Sequence, residues 1–280
     1  MFIHFDTKAQ AERIMRIIDC HVNDSRMFSY ISYNGGDTIS LSIEEGYETS
    51  LLIAFREAFL AFIRTDMMHV WLGRILEEDF HYSDKTEREH IIEITASVMH
   101  GDNPKNEAFW NELKYKIHHG LISLFEKKVS FSFPSFLTFR MKGIMEKLMA
   151  YAETGIDEYK MEQEYQGFIH ILRSHMLRMD HKMERLHLKH RQTFEFFGDT
   201  LEILTRDHLS GFIDRKLYSE YPMYIDSHVL APLISIAPKQ LYIYSDEEQH
   251  PLVVTIQRIF EERAIMRPVI EFGKNGLKTL

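Results

Sequence analysis

One cysteine, Cys20, stands in 280 residues. A single thiol closes no internal disulfide and supplies no Cys-x-x-Cys pair for zinc or redox chemistry. It suits a reducing compartment. Proline and glycine are scarce as well, at 7 and 13 residues, which excludes collagen-like and low-complexity classes. Long apolar runs are missing. The most apolar stretch, Thr49 to Leu76, is broken by Arg56, Glu57, Arg64, Asp66 and Arg74, whereas a spanning helix needs about 20 largely uncharged residues. The opening MFIHFDTKAQ lacks the basic and apolar regions of a secretory signal. The expectation is a cytoplasmic chain with no integral membrane segment. Basic excess is missing too: 33 basic against 42 acidic residues give −9. That argues against a globally basic nucleic-acid binder and leaves only a local basic face to consider.

What is present is an ordinary globular composition, 45% apolar and 27% charged. A chain this long buries a core without disulfide or metal staples. Residues 1–48 read as a small α+β unit. Phe2, Ile3 and Phe5 suggest a strand, and Asp6 or Thr7 can cap a helix carrying Ile14, Ile17 and Ile18 on one face. Asn34-Gly35-Gly36-Asp37, set between alternating segments, reads as a hairpin turn.

Residues 49–183 read as helical. Leu52, Phe55, Phe59, Phe62 and Ile63 form one stripe, and Leu113, Ile117, Leu121 and Leu124 another. Gly101-Asp102-Asn103-Pro104 marks a break between them. Pro134 makes the residues before it extended, with Ser135 available to cap a new helix.

Residues 184–280 return to α+β texture. Leu186 and Leu188, then Phe194 and Phe196, suggest two strands. Leu201, Leu204, Leu209, Phe212 and Leu217 follow at roughly helical spacing. A helix ending at Ala237-Pro238 contains Pro232, which should kink or shorten it. Leu241 and Ile243 suggest a strand, and Pro251 opens a helix. Val269, Ile270 and Phe272 suggest a last strand, with Gly273 to Leu280 a loose tail. The class is therefore α+β, with a helical middle between two mixed ends that could share one sheet.

Four segments carry a resemblance: FSFPSFLTFRMK from Phe131, DEYKMEQEYQGFI from Asp157, LISIAPKQLYIY from Leu233 and IQRIFEERA from Ile256. They resemble, in order, the YtxC-like family of sporulation-associated proteins from endospore-forming bacteria. The likeness runs from about Thr49 to Arg263, and Phe136 to Arg140 is its most distinctive element. Pro232 departs from the unbroken apolar helix expected there. The resemblance implies a cytoplasmic protein of a spore former. It implies no reaction and no catalytic residues.

The residues themselves point to no reaction either. There is no Gly-x-x-x-x-Gly-Lys loop, no Gly-x-Gly-x-x-Gly after a strand and no Gly-x-Ser-x-Gly elbow. Asp246, Glu247 and Glu248 occupy the loop where an α/β site would lie and would repel phosphate. Two Glu-x-x-His spacings, Glu87/His90 and Glu184/His187, match the two-metal bundle motif. With 16 histidines and abundant glutamate, chance supplies as many. The adjacent His118 and His119 would point about 100° apart on a helix. No metal or other cofactor is implied, and the balance leans away from an enzyme.

Two surfaces remain. Phe136, Phe139 and Arg140 form the first candidate, a contact with an unknown protein partner, because aromatics and arginine anchor interfaces. The second is a basic patch of Arg173, Arg178, Lys182, Arg185, Lys189 and Arg191 that could grip nucleic-acid phosphates. Protein contact is the leading reading. Nucleic-acid binding and an enzyme with an unrecognised site are the alternatives.

Overall fold

Helix starts follow the cap chemistry of the sequence. Thr7 Oγ1 accepts the Gln10 N–H at 3.2 Å and opens α1, Lys8–His21. Asp84 accepts from the Glu87 N–H at 2.8 Å and opens α4, Lys85–His100. Asn103 accepts from the Lys105 N–H at 2.9 Å and opens α5, Pro104–Glu126. In each case a short side chain satisfies a first-turn donor that has no partner within the helix. The computed structural model describes residues 1–21, 25–43, 46–214, 226 and 228–272. Its contacts divide the chain into two units, Met1–Met161 and Glu162–Leu280.

In the first unit, β1 (Phe2–His4), β2 (Ile31–Tyr33), β3 (Thr38–Leu41) and β4 (Phe131–Ser132) form a sheet in the order β2-β3-β1-β4. The hairpin β2-β3 is antiparallel with Tyr33 opposite Ile39. Gly35 takes φ 75° in its turn, a conformation favouring a residue without Cβ. β4 pairs parallel to β1. The helices are α2 (Glu48–Phe62), α3 (Met68–Arg74), α4, α5, α6 (Phe133–Arg140) and the start of α7 (Lys142–Arg178). Ser132, rather than Ser135, caps α6: its Oγ accepts the Ser135 N–H at 3.4 Å. Pro134 falls in the first turn, where a missing N–H costs nothing.

Two π-turns, Ile63–Met67 and Ile75–Asp79, interrupt and extend the α2–α3 rod. The second closes with the Phe80 N–H on the Ile75 carbonyl at 3.2 Å. Such turns insert an extra residue and rotate everything after them.

Ile3 and Ile39 of the sheet share one apolar core with Phe55 and Phe59 of α2, Leu113 of α5 and Phe133 of α6. The texture boundary at 48/49 therefore does not separate two bodies. The later division falls at 161/162, inside the helical texture, because Ile169, Leu172 and Met176 of α7 pack in the core of the second unit.

That core lies on a second sheet, β5 (Arg185–His190), β6 (Phe194–Phe197), β7 (Gln240–Tyr244) and β8 (Ala264–Arg267), in the order β6-β5-β7-β8. β5, β7 and β8 run parallel, and β6 is antiparallel to β5. Among the described residues the strands of the two ends do not share a sheet.

Two expectations change here, and a third narrows. The helical spacing from Leu201 yields only the short helix Arg206–Phe212, because Leu201 takes φ 64° and Ile203 bridges Phe197. Leu217 and the tail Gly273 to Leu280 lie outside the described residues. Pro232 is the third residue of its helix, Leu230–Ile236, where a missing N–H in the first turn costs nothing; of the expected kink or shortening, the short form is found, a helix of 7 residues. The last strand is Ala264–Arg267, and Val269–Glu271 is a 3₁₀ turn following Pro268.

Candidate functional site

The structure parts the three residues of the first candidate surface. Phe136 is buried at 6% exposure, packed 6.1 Å from the Phe59 ring and 5.7 Å from the Phe131 ring. Gly120 of α5 makes room for it, since a Cβ there would meet the Phe136 ring at 2.6 Å. Phe136 is therefore corrected from surface to core. Phe139 is 83% exposed, and Arg140 is exposed over the same Gly120.

The basic residues of the second candidate are mostly engaged. Arg173 pairs with Glu261 at 2.7 Å and Glu262 at 3.4 Å, and donates to the Ile259 carbonyl. Arg185 pairs with Asp199 at 3.1 Å and Lys189 with Glu195 at 2.9 Å. Lys182 donates to the Phe212 carbonyl at 2.7 Å, and Arg178 to the Ser174 carbonyl at 3.1 Å. Arg191 is exposed and makes no ion pair among the described residues.

The histidines do not converge as ligands. His187 Nδ1 lies 3.1 Å from the Tyr244 hydroxyl, and its ring stacks on Tyr242. Glu184, its motif partner, pairs instead with Lys239 at 2.7 Å. His118 and His119 splay with ring planes 76° apart, and His119 lies against Tyr115. Among the described residues no group of three or more His, Cys, Asp or Glu side chains can hold a metal ion.

At the C-terminal edge of β5 and β7, His190 Nδ1 lies 3.0 Å from Ser245 Oγ, which also accepts the Glu247 N–H. The His190 ring lies 4.3 Å from Phe194 and 4.5 Å from His250, whose Nδ1 caps the helix Pro251–Phe260. Burial pushes the His190 imidazole below its ordinary pKa, and His250 adds to the shift. Burial lowers His187 likewise, with Arg185 adding to it. Both His190 and Ser245 are buried. The cluster is a satisfied polar knot in which each side chain has a partner inside the fold.

The open feature lies in the first unit. A groove of about 750 Å³ runs between α3 with its following π-turn and the α6–α7 junction. Trp71, Ile75, Leu137 and Met141 form its buried floor. Met145 and Met149, half-buried, continue that floor along α7. Arg74, Glu78, Asp79, Lys142 and Glu146 stand exposed around it. None of these five makes an ion pair with another described residue. Trp71, Arg74, Ile75, Glu78 and Asp79 recur at i, i+3, i+4, i+7 and i+8, so one face of the α3 rod carries the whole wall onto the groove.

Trp71, Met145 and Met149 are absent from the candidate residues that the sequence offers. Their signal was nonetheless there, in Met141, Met145 and Met149 repeating every four residues. Methionine is flexible and polarizable, and a row of it forms a surface that adapts to what covers it.

Among the described residues no helix is long and apolar enough to cross a membrane. No solved structure matches this chain. A Bacillus subtilis (strain 168) protein described as "Uncharacterized protein YtxC" is 35% identical over 200 residues, covering 71% of this chain and 70% of its own length. The YtxC-like family matches over residues 54–265. The chain belongs to the YtxC-like family.

Proposed function

We propose that this YtxC-like protein serves sporulation through protein–protein contact, with the methionine-floored groove of the first unit as the contact surface. The observation that carries this reading is the groove itself, an apolar floor of Trp71, Met141, Met145 and Met149 ringed by five charges without ion-pair partners among the described residues. Hot spots of interfaces are aromatic anchors in apolar pockets with polar rims.

Nucleic-acid binding through Arg173–Arg191 has weaker support, because Arg173, Arg185 and Lys189 already hold carboxylates. An enzymatic site at His190 and Ser245 has weaker support too, since both side chains are buried and partnered within the fold.

The test is a pull-down from sporulating cells with the full chain, comparing wild type, Met145→Glu and Arg178→Glu. The reading expects a protein retained by wild type and Arg178→Glu and lost with Met145→Glu. Retention indifferent to Met145→Glu, or none at all, would overturn it.

A further inference from the structure

We infer that the occupant of the groove is an amphipathic α-helix of another polypeptide, docked parallel to α7, with an acidic turn preceding a basic one. This rests on reading the groove as a protein-contact surface. The inference comes from the order of the rim charges. On α7, Lys142 precedes Glu146 by four residues, and on the opposite wall Arg74 precedes Glu78 and Asp79.

The walls run the same way. Trp71 to Asp79 faces Leu137 to Met149 across the groove. Just beyond, Phe80 and Tyr82 share a second depression with Glu153, Asp157 and Lys160. Later residues of one wall thus meet later residues of the other. The cations Arg74 and Lys142 therefore gather toward one end, and the anions Glu78, Asp79 and Glu146 toward the other.

Within one helix, an acidic residue four positions before a basic one is the favourable order, and the reverse is poorer. Both walls carry the poorer order. Neither Lys142 with Glu146 nor Arg74 with Glu78 closes to an ion pair. These charges are left for something that lies between them.

A helix carrying the favourable order on its flanks, acid first and base one turn later, matches both walls when it runs parallel to α7. Its carboxylates then face Arg74 and Lys142, and its cations face Glu78, Asp79 and Glu146. Its apolar stripe at i, i+3, i+4 and i+7 rests on Trp71, Met141, Met145 and Met149. The floor sets affinity, and the rim sets direction.

The experiment is selection from a displayed library of helical peptides on the immobilised full chain at low salt. It is repeated on a variant with the rim reversed (Arg74→Glu, Lys142→Glu, Glu78→Lys, Asp79→Lys, Glu146→Lys) and on Met145→Glu. All five rim positions are exposed, so the reversal leaves the core untouched. Wild type should enrich helical apolar periodicity with Asp or Glu one turn before Lys or Arg. The reversed rim should select the opposite order, and each peptide should prefer its own rim by about tenfold, as expected from a few exposed pairs.

Met145→Glu should abolish the enrichment. The same charge order on both rims, peptides without helical period, enrichment that survives Met145→Glu, or no enrichment would each overturn the inference. A cellular partner lost with Met145→Glu, together with any of those results, would leave the contact reading standing and remove only the helix.

Discussion

Two glycines of α7 respond oppositely to the same substitution. An added Cβ at Gly155 would lie 1.9 Å from Thr95 Oγ1 and 3.0 Å from Thr95 Cβ, whereas at Gly167 nothing lies within 4 Å. Helix propensity alone favours alanine over glycine by about 1 kcal/mol at either site. Gly167→Ala should show that gain.

At Gly155 the buried Thr95 hydroxyl must swing away from the Ile91 carbonyl, to which it donates at 2.7 Å. Losing that bond and leaving the hydroxyl unpaired costs about 1–3 kcal/mol. Separating α4 from α7 to admit the methyl adds about 1–3 kcal/mol. Against the propensity gain, Gly155→Ala should destabilise the first unit by about 3 kcal/mol net. Thr95→Ala in the same chain removes the closest contact, so the double variant should be more stable than the sum of the singles.

Urea unfolding followed by tryptophan fluorescence reads this unit, because both tryptophans, Trp71 and Trp110, lie within it. Far-UV circular dichroism follows Gly167→Ala. Equal stabilisation by the two alanines would refute the packing of α4 on α7.

Further outcomes follow from the same geometry. Phe136→Ala should cost about 3–5 kcal/mol in urea unfolding, and Phe139→Ala should stay within about 0.5 kcal/mol; similar losses at both would contradict the buried and exposed placements. His187 and His190 have lowered folded pKa values, so the unfolded chain takes up protons first as pH falls below about 6.5. Their contribution is fully present above that pH and is lost as pH falls toward the folded values. The urea midpoint of the second unit should therefore drop between pH 7.5 and 5.5, and less so in the His187→Asn/His190→Asn variant; an equal drop in both would oppose this. DNA and RNA retardation at low salt should be negligible and unaltered by Arg178→Glu or Arg191→Glu. A binding constant falling steeply with salt would contradict the pairing of the neighbouring cations.

Local chemistry made much of the fold legible. Asn34-Gly35-Gly36-Asp37 marked the β2-β3 hairpin because few residues tolerate positive φ, and Thr7 marked the start of α1 because its side chain satisfies a free N–H group. What depends on distant partners was not legible. Phe136 and Phe139 are one turn apart on α6, yet only the first meets the gap left by Gly120, a residue of another helix. The strand Ala264–Arg267 is less apolar than Val269–Phe272, and its pairing with β7 makes it a strand. Trp71, Arg74, Ile75, Glu78 and Asp79 share a face by plain helical spacing, but that the face borders an open groove depends on where the distant Leu137–Met149 segment lies. The methionine repeat was visible, but a stripe of that kind reads equally well as core until its neighbours are known.

The groove can be interrogated most directly with a photo-crosslinking amino acid in place of Met145, introduced into the full chain in sporulating cells, with Gly36 on the β2-β3 turn as the reference site. The account predicts a discrete adduct heavier than the 33.3 kDa chain from position 145 and none of that mass from position 36. No adduct at 145, or the same adduct from both positions, would contradict it.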